Sequence, residues 1–319
     1  MANARVPVNS EIGDSNEPTV LGIDVGGTAI KLGHFNRACT CLHSLTVPTP
    51  QPPKPEAVFS VLLDAIAQLD PHRHSTAIGI GLPGPTDATA RIARISINLP
   101  DWHDIPLADQ LELHTGCPIV LANDANCAGL GELHFGAGRP FRNFILLTLG
   151  TGVGGAIILN GELLTGHQGA AGELGLITLR PGGPPCNSGN NGSLEQYVSL
   201  RAIQRMTGKE PIELGHLAQA GDPEALVFWT RYGQDLGAGL ASLIYVLTPE
   251  AILLGGGISA SAKFFLPATT AEIERRVLLP SREGLKILPA ALGNEAGMAG
   301  AATLAWKLLQ ANNMGQEIQ

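Results

Sequence analysis

The chain has 319 residues, 44% of them hydrophobic, and a formal net charge of −8 with no run of basic residues. That apolar content can bury one or two cores without disulfide or metal staples, and the chain lacks the clustered positive charge by which a protein grips nucleic acid. Five cysteines, Cys39, Cys41, Cys117, Cys127 and Cys186, make an odd set with no disulfide-dense framework around them, and no apolar stretch approaches the roughly 20 residues of a bilayer span, so a cytoplasmic protein with no membrane partner is expected.

In chain order, Met1 to Pro18 is polar and acidic with no hydrophobic signal region, and residues 1–19 read as a disordered tail. Leu21, Ile23 and Val25 then lead into Gly26-Gly27-Thr28, and Ala29 to Phe35 follows at once, giving a strand, glycine turn, strand unit. Pro48 to Pro55 is a proline-rich connection. Ala57 to Leu69 has helical spacing, and Ala77 to Leu82 is a buried strand ending in Pro83-Gly84-Pro85. The first part is therefore β-β-α-β in type. Ile119 to Ala122 is a short strand, and Asn123-Asp124 caps an Ala-rich helix that runs to about Phe135. Ile145 to Leu149, Gly150 to Gly155 and Ala156 to Leu159 repeat the opening pattern, which points to an internal duplication. Asn160-Gly161 before Leu163-Leu164 is a hairpin turn. Ala251 to Leu254 ends in a third glycine turn, Gly255-Gly256-Gly257, and an apolar helix closes the chain.

Glycines after strands let backbone N–H groups approach phosphate oxygens. Asp24 before the first turn can orient magnesium through water, Thr28 can donate a hydrogen bond, and two such turns from duplicated halves can face one polyphosphate. Gly150, Gly152 and Gly155 also satisfy G-x-G-x-x-G, but a strand and hairpin follow where a dinucleotide fold needs a helix N-terminus. The Gly208-Lys209 pair lacks the rest of a Walker loop. Asp124, at a helix start, is a carboxylate placed to take a proton from an attacking hydroxyl. Asn98, Glu173 and Glu195 sit among small or turn-forming residues and are candidates for sugar hydroxyls. The Cys39 and Cys41 pair reads as packing, and His72 and His74 as solvent-facing.

Asp24-Val25-Gly26-Gly27-Thr28, Gly81-Leu82-Pro83-Gly84-Pro85, Asn98-Leu99-Pro100-Asp101-Trp102, Asn123-Asp124-Ala125-Asn126, Gly150 to Gly155, Gly172-Glu173-Leu174-Gly175 and Leu194-Glu195-Gln196-Tyr197 together resemble the ROK family of sugar kinases and repressors, from about Leu21 to Leu309. The resemblance implies two ribonuclease-H-like α/β domains of the actin and hexokinase type with a cleft between them: a small one over 20–122, completed by a helix at 297–312, and a large one over 123–296. It implies an ATP-dependent kinase with Mg2+ and a homodimer. Glucose is the substrate implied at its 6-hydroxyl; mannose, fructose, allose and N-acetylglucosamine are the alternatives, and polyphosphate is an alternative donor. By carry-over, Gly84, Asn98, Asn123, Asp124, Glu173 and Glu195 contact the sugar. Asp24, Gly26, Gly27, Thr28, Lys31, Gly150, Thr151, Gly152, Val153 and Gly154 serve the phosphates, Gly256 and Gly257 lie under adenosine, and Asp124 is the catalytic base. Family zinc ligands are replaced: Leu176 stands where a His is common, and only Cys186 of the thiol loop remains, with Ser188 and Ser193 at two other ligand positions, so no structural zinc is expected. A sugar-sensing regulator would carry a DNA-binding domain ahead of the first turn, where only about twenty residues stand.

Overall fold

The computed structural model describes residues 17–95, 99 and 101–316. Asn98 and all but the last three residues of the expected tail lie outside the described residues, and Thr19 already belongs to the first strand. The chain divides into two compact units. Unit 1 takes the chain through Arg139, Leu163–Ala171 and the chain from Ala291; unit 2 takes Pro140–Glu162 and Gly172–Ala290.

Unit 1 is built on a five-stranded sheet of β1 (Thr19–Val25), β2 (Ala29–Phe35), β3 (Cys41–Pro48), β4 (Ser75–Leu82) and β7 (Ile119–Asn123), ordered β3-β2-β1-β4-β7. β5 (Ala93–Ile95) and β6 (His103–Ile105) form a separate ribbon. β2 is antiparallel to β1 and β3, while β1, β4 and β7 run parallel. Side chains alternate along a strand, and the sheet uses both faces. Leu21, Ile23, Ile78 and Ile80 join one core cluster with Val58 and Leu62 of the helix Pro55–Leu69. On the other face stand Gly22, Gly79 and Gly81. A Cβ on Gly22 would overlap the Met298 carbonyl oxygen, and one on Gly79 the Ala301 carbonyl oxygen. The C-terminal helix Ala296–Gln316 therefore lies backbone to backbone on β1 and β4, a close approach that explains glycine inside a strand. Gly79→Ala is expected to cost about 1–3 kcal/mol through overpacking, read as a lowered thermal midpoint; an unchanged midpoint would contradict this packing.

The helix Asp124–Phe135, expected to open the large domain, belongs to unit 1, and the boundary falls after Arg139 instead of at 122. Its backbone touches the C-terminal helix directly, since a Cβ on Gly131 would overlap the Ala296 carbonyl oxygen and one on Gly300 that of Cys127. The return to unit 1 likewise falls at Ala291, ahead of the expected 297, and Leu163–Ala171 adds a segment that the sequence did not reveal.

His34 on β2 is buried, with Nε2 2.7 Å from Thr19 Oγ1 and 3.2 Å from Ser75 Oγ. Burial lowers its pKa, opposed by the charge of Asp70. A folded pKa below the ordinary 6.5 means that the unfolded chain takes up this proton first. Stability is then full above 6.5 and falls as the pH drops from there toward the folded value. Urea midpoints measured between pH 7.5 and 5.5 should decline, and His34→Gln should flatten that slope.

Unit 2 repeats the pattern with β8 (Phe144–Leu149), β9 (Val153–Leu159), β10 (Glu162–Leu163), β11 (Ala251–Gly255) and β12 (Lys286–Pro289), ordered β10-β9-β8-β11-β12. β8 is antiparallel to β9 and parallel to β11, which is parallel to β12. This is the order of unit 1 strand for strand, so the duplication legible in the glycine turns is a duplication of topology. Asn160 and Gly161 both adopt positive φ, 55° and 83°, as a two-residue hairpin requires.

Candidate active site

In unit 1 the register sets Asp24, Gly81 and Ala122 in one row across β1, β4 and β7. At about 4.8 Å per strand the row spans about 10 Å. The carboxyl ends of three parallel strands thus emerge side by side, where open α/β sheets bind ligands.

After β1, Gly26 N donates to the Ala29 carbonyl at 3.0 Å to close the first turn. Thr49 and Gln51 brace it: Thr49 Oγ1 donates to the Gly26 carbonyl at 2.6 Å, Gln51 Nε2 to that of Gly27 at 3.0 Å, and Thr49 N to that of Thr28 at 3.0 Å. With these carbonyls satisfied by the following connection, Gly27 borders open space. The bracing residues carried no sequence signal beyond the proline-rich segment. Lys31 Nζ is 3.9 Å from Asp24 Oδ2 and 3.5 Å from the Asn294 carbonyl. Burial raises the Asp24 pKa, and Lys31 opposes the shift. A Cβ on Gly297 would come 2.7 Å from Asp24 Cγ, so this glycine makes room for the carboxylate at the start of the C-terminal helix. A hard cation that keeps most of its water and takes one carboxylate fits Asp24 chemically, because added positive charge offsets what burial costs the ionised group.

After β4, Gly84 has φ 98° and its carbonyl accepts from Asn123 Nδ2 at 3.3 Å. Asn123 also caps the next helix, its Oδ1 accepting from Asn126 N at 3.1 Å. Asp124 is therefore the first helical residue, with Oδ1 accepting from Ala125 N at 2.8 Å. Gly81 leaves space for Cys127 Sγ, which a Cβ there would approach to 3.1 Å. Unit 1 thus brings Asp24, Gly26, Gly27, Thr28, Lys31, Gly84, Asn123 and Asp124 to one end of one sheet.

In unit 2, β8 runs into Gly150, Thr151 and Gly152, and β9 starts at Val153. Gly150 N donates to the Gly152 carbonyl at 3.0 Å. The turn after the neighbouring strand β11 abuts this one: Gly256 has φ 82°, and a Cβ there would overlap the Leu149 carbonyl oxygen. Glu173 and Glu195 join the same group. A Cβ on Gly155 would overlap Leu174 Cγ, and one on Gly175 the Val153 carbonyl, so the Glu173 loop lies on the start of β9. Glu195, expected beside a sugar, turns Oε2 to Val153 N at 3.0 Å. Burial, and then the charge of Glu195, raise the Glu173 pKa. Gly154 lies on β9 between these contacts, and Gly257 borders open space.

In the loop where the resemblance implied replaced zinc ligands, Ser188 Oγ donates to Cys186 Sγ at 3.2 Å. Asn190 Nδ2 donates to the Leu176 carbonyl at 3.4 Å and to Thr178 Oγ1 at 2.9 Å, and the Gly192 carbonyl accepts from Leu179 N and Arg180 N. The loop is tied by hydrogen bonds of its own. Among the described residues, no three His, Cys, Asp or Glu side chains gather to hold a metal ion.

The model of the ROK family matches residues 20–307. The chain belongs to the ROK family. A glucokinase of Thermotoga maritima is 34% identical over 89% of this chain and 96% of its own length. The crystal structure of a ROK family glucokinase from Streptomyces griseus in complex with glucose and AMPPNP is 33% identical, covers 91% of this chain and 99% of that one, and superposes with a TM-score of 0.79. The ROK hexokinase from Thermus thermophilus is 37% identical over 92% and 99%, with a TM-score of 0.81. The two-domain α/β fold expected from the motifs is the fold of these ROK enzymes.

Proposed function

We propose that this ROK protein is an ATP-dependent kinase that phosphorylates glucose at the 6-hydroxyl. The observation that carries the reading is the row Asp24, Gly81 and Ala122, which delivers a glycine turn and the Asn123-Asp124 pair to the same end of the unit 1 sheet. The glucokinase relatives support glucose as the sugar. Asp124 accepts the proton of the 6-hydroxyl while that oxygen attacks the γ-phosphorus and the bond to ADP breaks. Little covalent work falls to the protein in phosphoryl transfer, so positioning and charge stabilisation dominate. Asn123, Gly84, Asn98, Glu173 and Glu195 orient the sugar, the two glycine turns with Lys31 hold the phosphates, and Gly256 and Gly257 lie under adenosine. Asp24 is the residue that would hold Mg2+, which supplies charge neutralisation on the phosphates.

The finer reading is a cytoplasmic homodimer without structural zinc. No helix among the described residues is long and apolar enough to cross a membrane, and Val246, Leu278 and Leu279 are exposed at 79%, 69% and 59%, which supports a covered face in solution. Purified protein should release ADP from ATP and Mg2+ when glucose is present, with glucose 6-phosphate as product; a panel of mannose, fructose, allose and N-acetylglucosamine ranks the alternatives. Absence of ADP release with every sugar would end the kinase reading. Elemental analysis and light scattering test the zinc and dimer statements.

A further inference from the structure

Glu195 stands 42 residues along the chain from Val153, yet it closes the second glycine turn. Its Oε2 accepts the Val153 N–H at 3.0 Å, and a Cβ on Gly152 would overlap the same oxygen, so the carboxylate lies against the turn's backbone. A little further on, Leu200 N donates to the Gly150 carbonyl at 2.8 Å. The segment from Glu195 to Leu200 grips the turn at both ends, through a charged hydrogen bond at Val153 and a neutral one at Gly150. Bonds with an ionised partner are about twice as strong as neutral ones. The carboxylate therefore dominates the grip. Glu195 is also electrostatically close to Glu173, whose proton affinity it raises.

We infer that Glu195 is a positioning residue for the second glycine turn, so that the carboxylate offered to the sugar also sets the affinity for the nucleotide. The inference rests on the kinase reading above. One side chain then links the two substrates, and by thermodynamic reciprocity each changes the other's affinity by the same factor.

The test is calorimetric titration of the full chain with a non-hydrolysable ATP analogue and Mg2+, alongside KM for glucose and for ATP. Glu195→Ala should weaken the analogue about tenfold or more, the size expected of a lost charged hydrogen bond, and raise the KM for glucose. Glu195→Gln keeps a carbonyl oxygen for Val153 N–H but turns the bond into a neutral one, so it should weaken the analogue clearly less than Glu195→Ala does, while still raising the KM for glucose. If Glu195→Ala raises only the KM for glucose, the inference fails and the kinase reading stands. If Ala and Gln weaken the analogue equally, it also fails, because an acceptor oxygen kept opposite Val153 N–H would then contribute nothing. A wild-type protein that binds no analogue overturns the kinase reading itself. Should the Ala variant not fold, Glu195→Asp, too short to reach Val153, repeats the comparison.

Discussion

Asp124→Asn is expected to lower kcat by about 10²–10⁴-fold, the usual worth of general-base assistance. The substitution is nearly isosteric, and the Asn side-chain oxygen can still accept from Ala125 N as Asp124 Oδ1 does at 2.8 Å. The helix cap is supplied by Asn123, whose Oδ1 accepts from Asn126 N, and the substitution leaves that cap in place. What disappears is the carboxylate that takes the sugar proton. Steady-state assays with glucose and ATP should show the loss in kcat with a much smaller change in KM, and the thermal midpoint should stay close to wild type. Wild-type turnover in the variant would remove Asp124 from the role of base.

The second large effect lies at Glu132, on the same helix. Glu132 is 0% exposed and yet carries a carboxylate. Its oxygens accept from Ala137 N at 2.7 Å, from Ala291 N at 2.9 and 3.1 Å, and from Leu292 N at 2.8 Å. Backbone donors on every side are what make a buried carboxylate tolerable. Glu132→Ala would strand three N–H groups, at about 1–3 kcal/mol for each unsatisfied donor, so a loss of about 3 kcal/mol or more is expected. For units of this size that corresponds to a thermal midpoint lower by about 6–12 °C. Glu132→Gln keeps one acceptor oxygen but turns an amide NH2 toward backbone donors, and should fall between. A midpoint within a degree of wild type for Glu132→Ala would show that water replaces the carboxylate.

Much of this was legible in the sequence where local chemistry dictates local structure. Asn123 as a cap, Asn160-Gly161 as a hairpin turn and the glycine turns after β1, β8 and β11 each depend on residues within a few positions. The strand β3 escaped because it sits at the sheet edge and buries little beyond Cys41, so its pattern carries no continuous apolar run. The unit boundary escaped for a different reason. It depends on Gly131 and Gly300 meeting the backbones of distant residues, and a glycine's neighbour across space leaves no mark on its neighbours along the chain. The same holds for Glu195 on Val153, for Glu132 on Ala291, and for Thr49 and Gln51 on the first turn. The site was readable as a set of residue types; the contacts that hold it in shape were not.

The glycines of β1 and β4 have a consequence for how the protein is made. Their faces stay bare until the helix beginning at Ala296 arrives, which at about 5–20 residues per second is roughly 15–55 s after Val25 is synthesised. Until then the amino-terminal strands must wait, with the glycine faces of β1 and β4 uncovered. Two strands made early thus depend for their covering on a helix made about 270 residues later, and nascent-chain aggregation should concentrate on them.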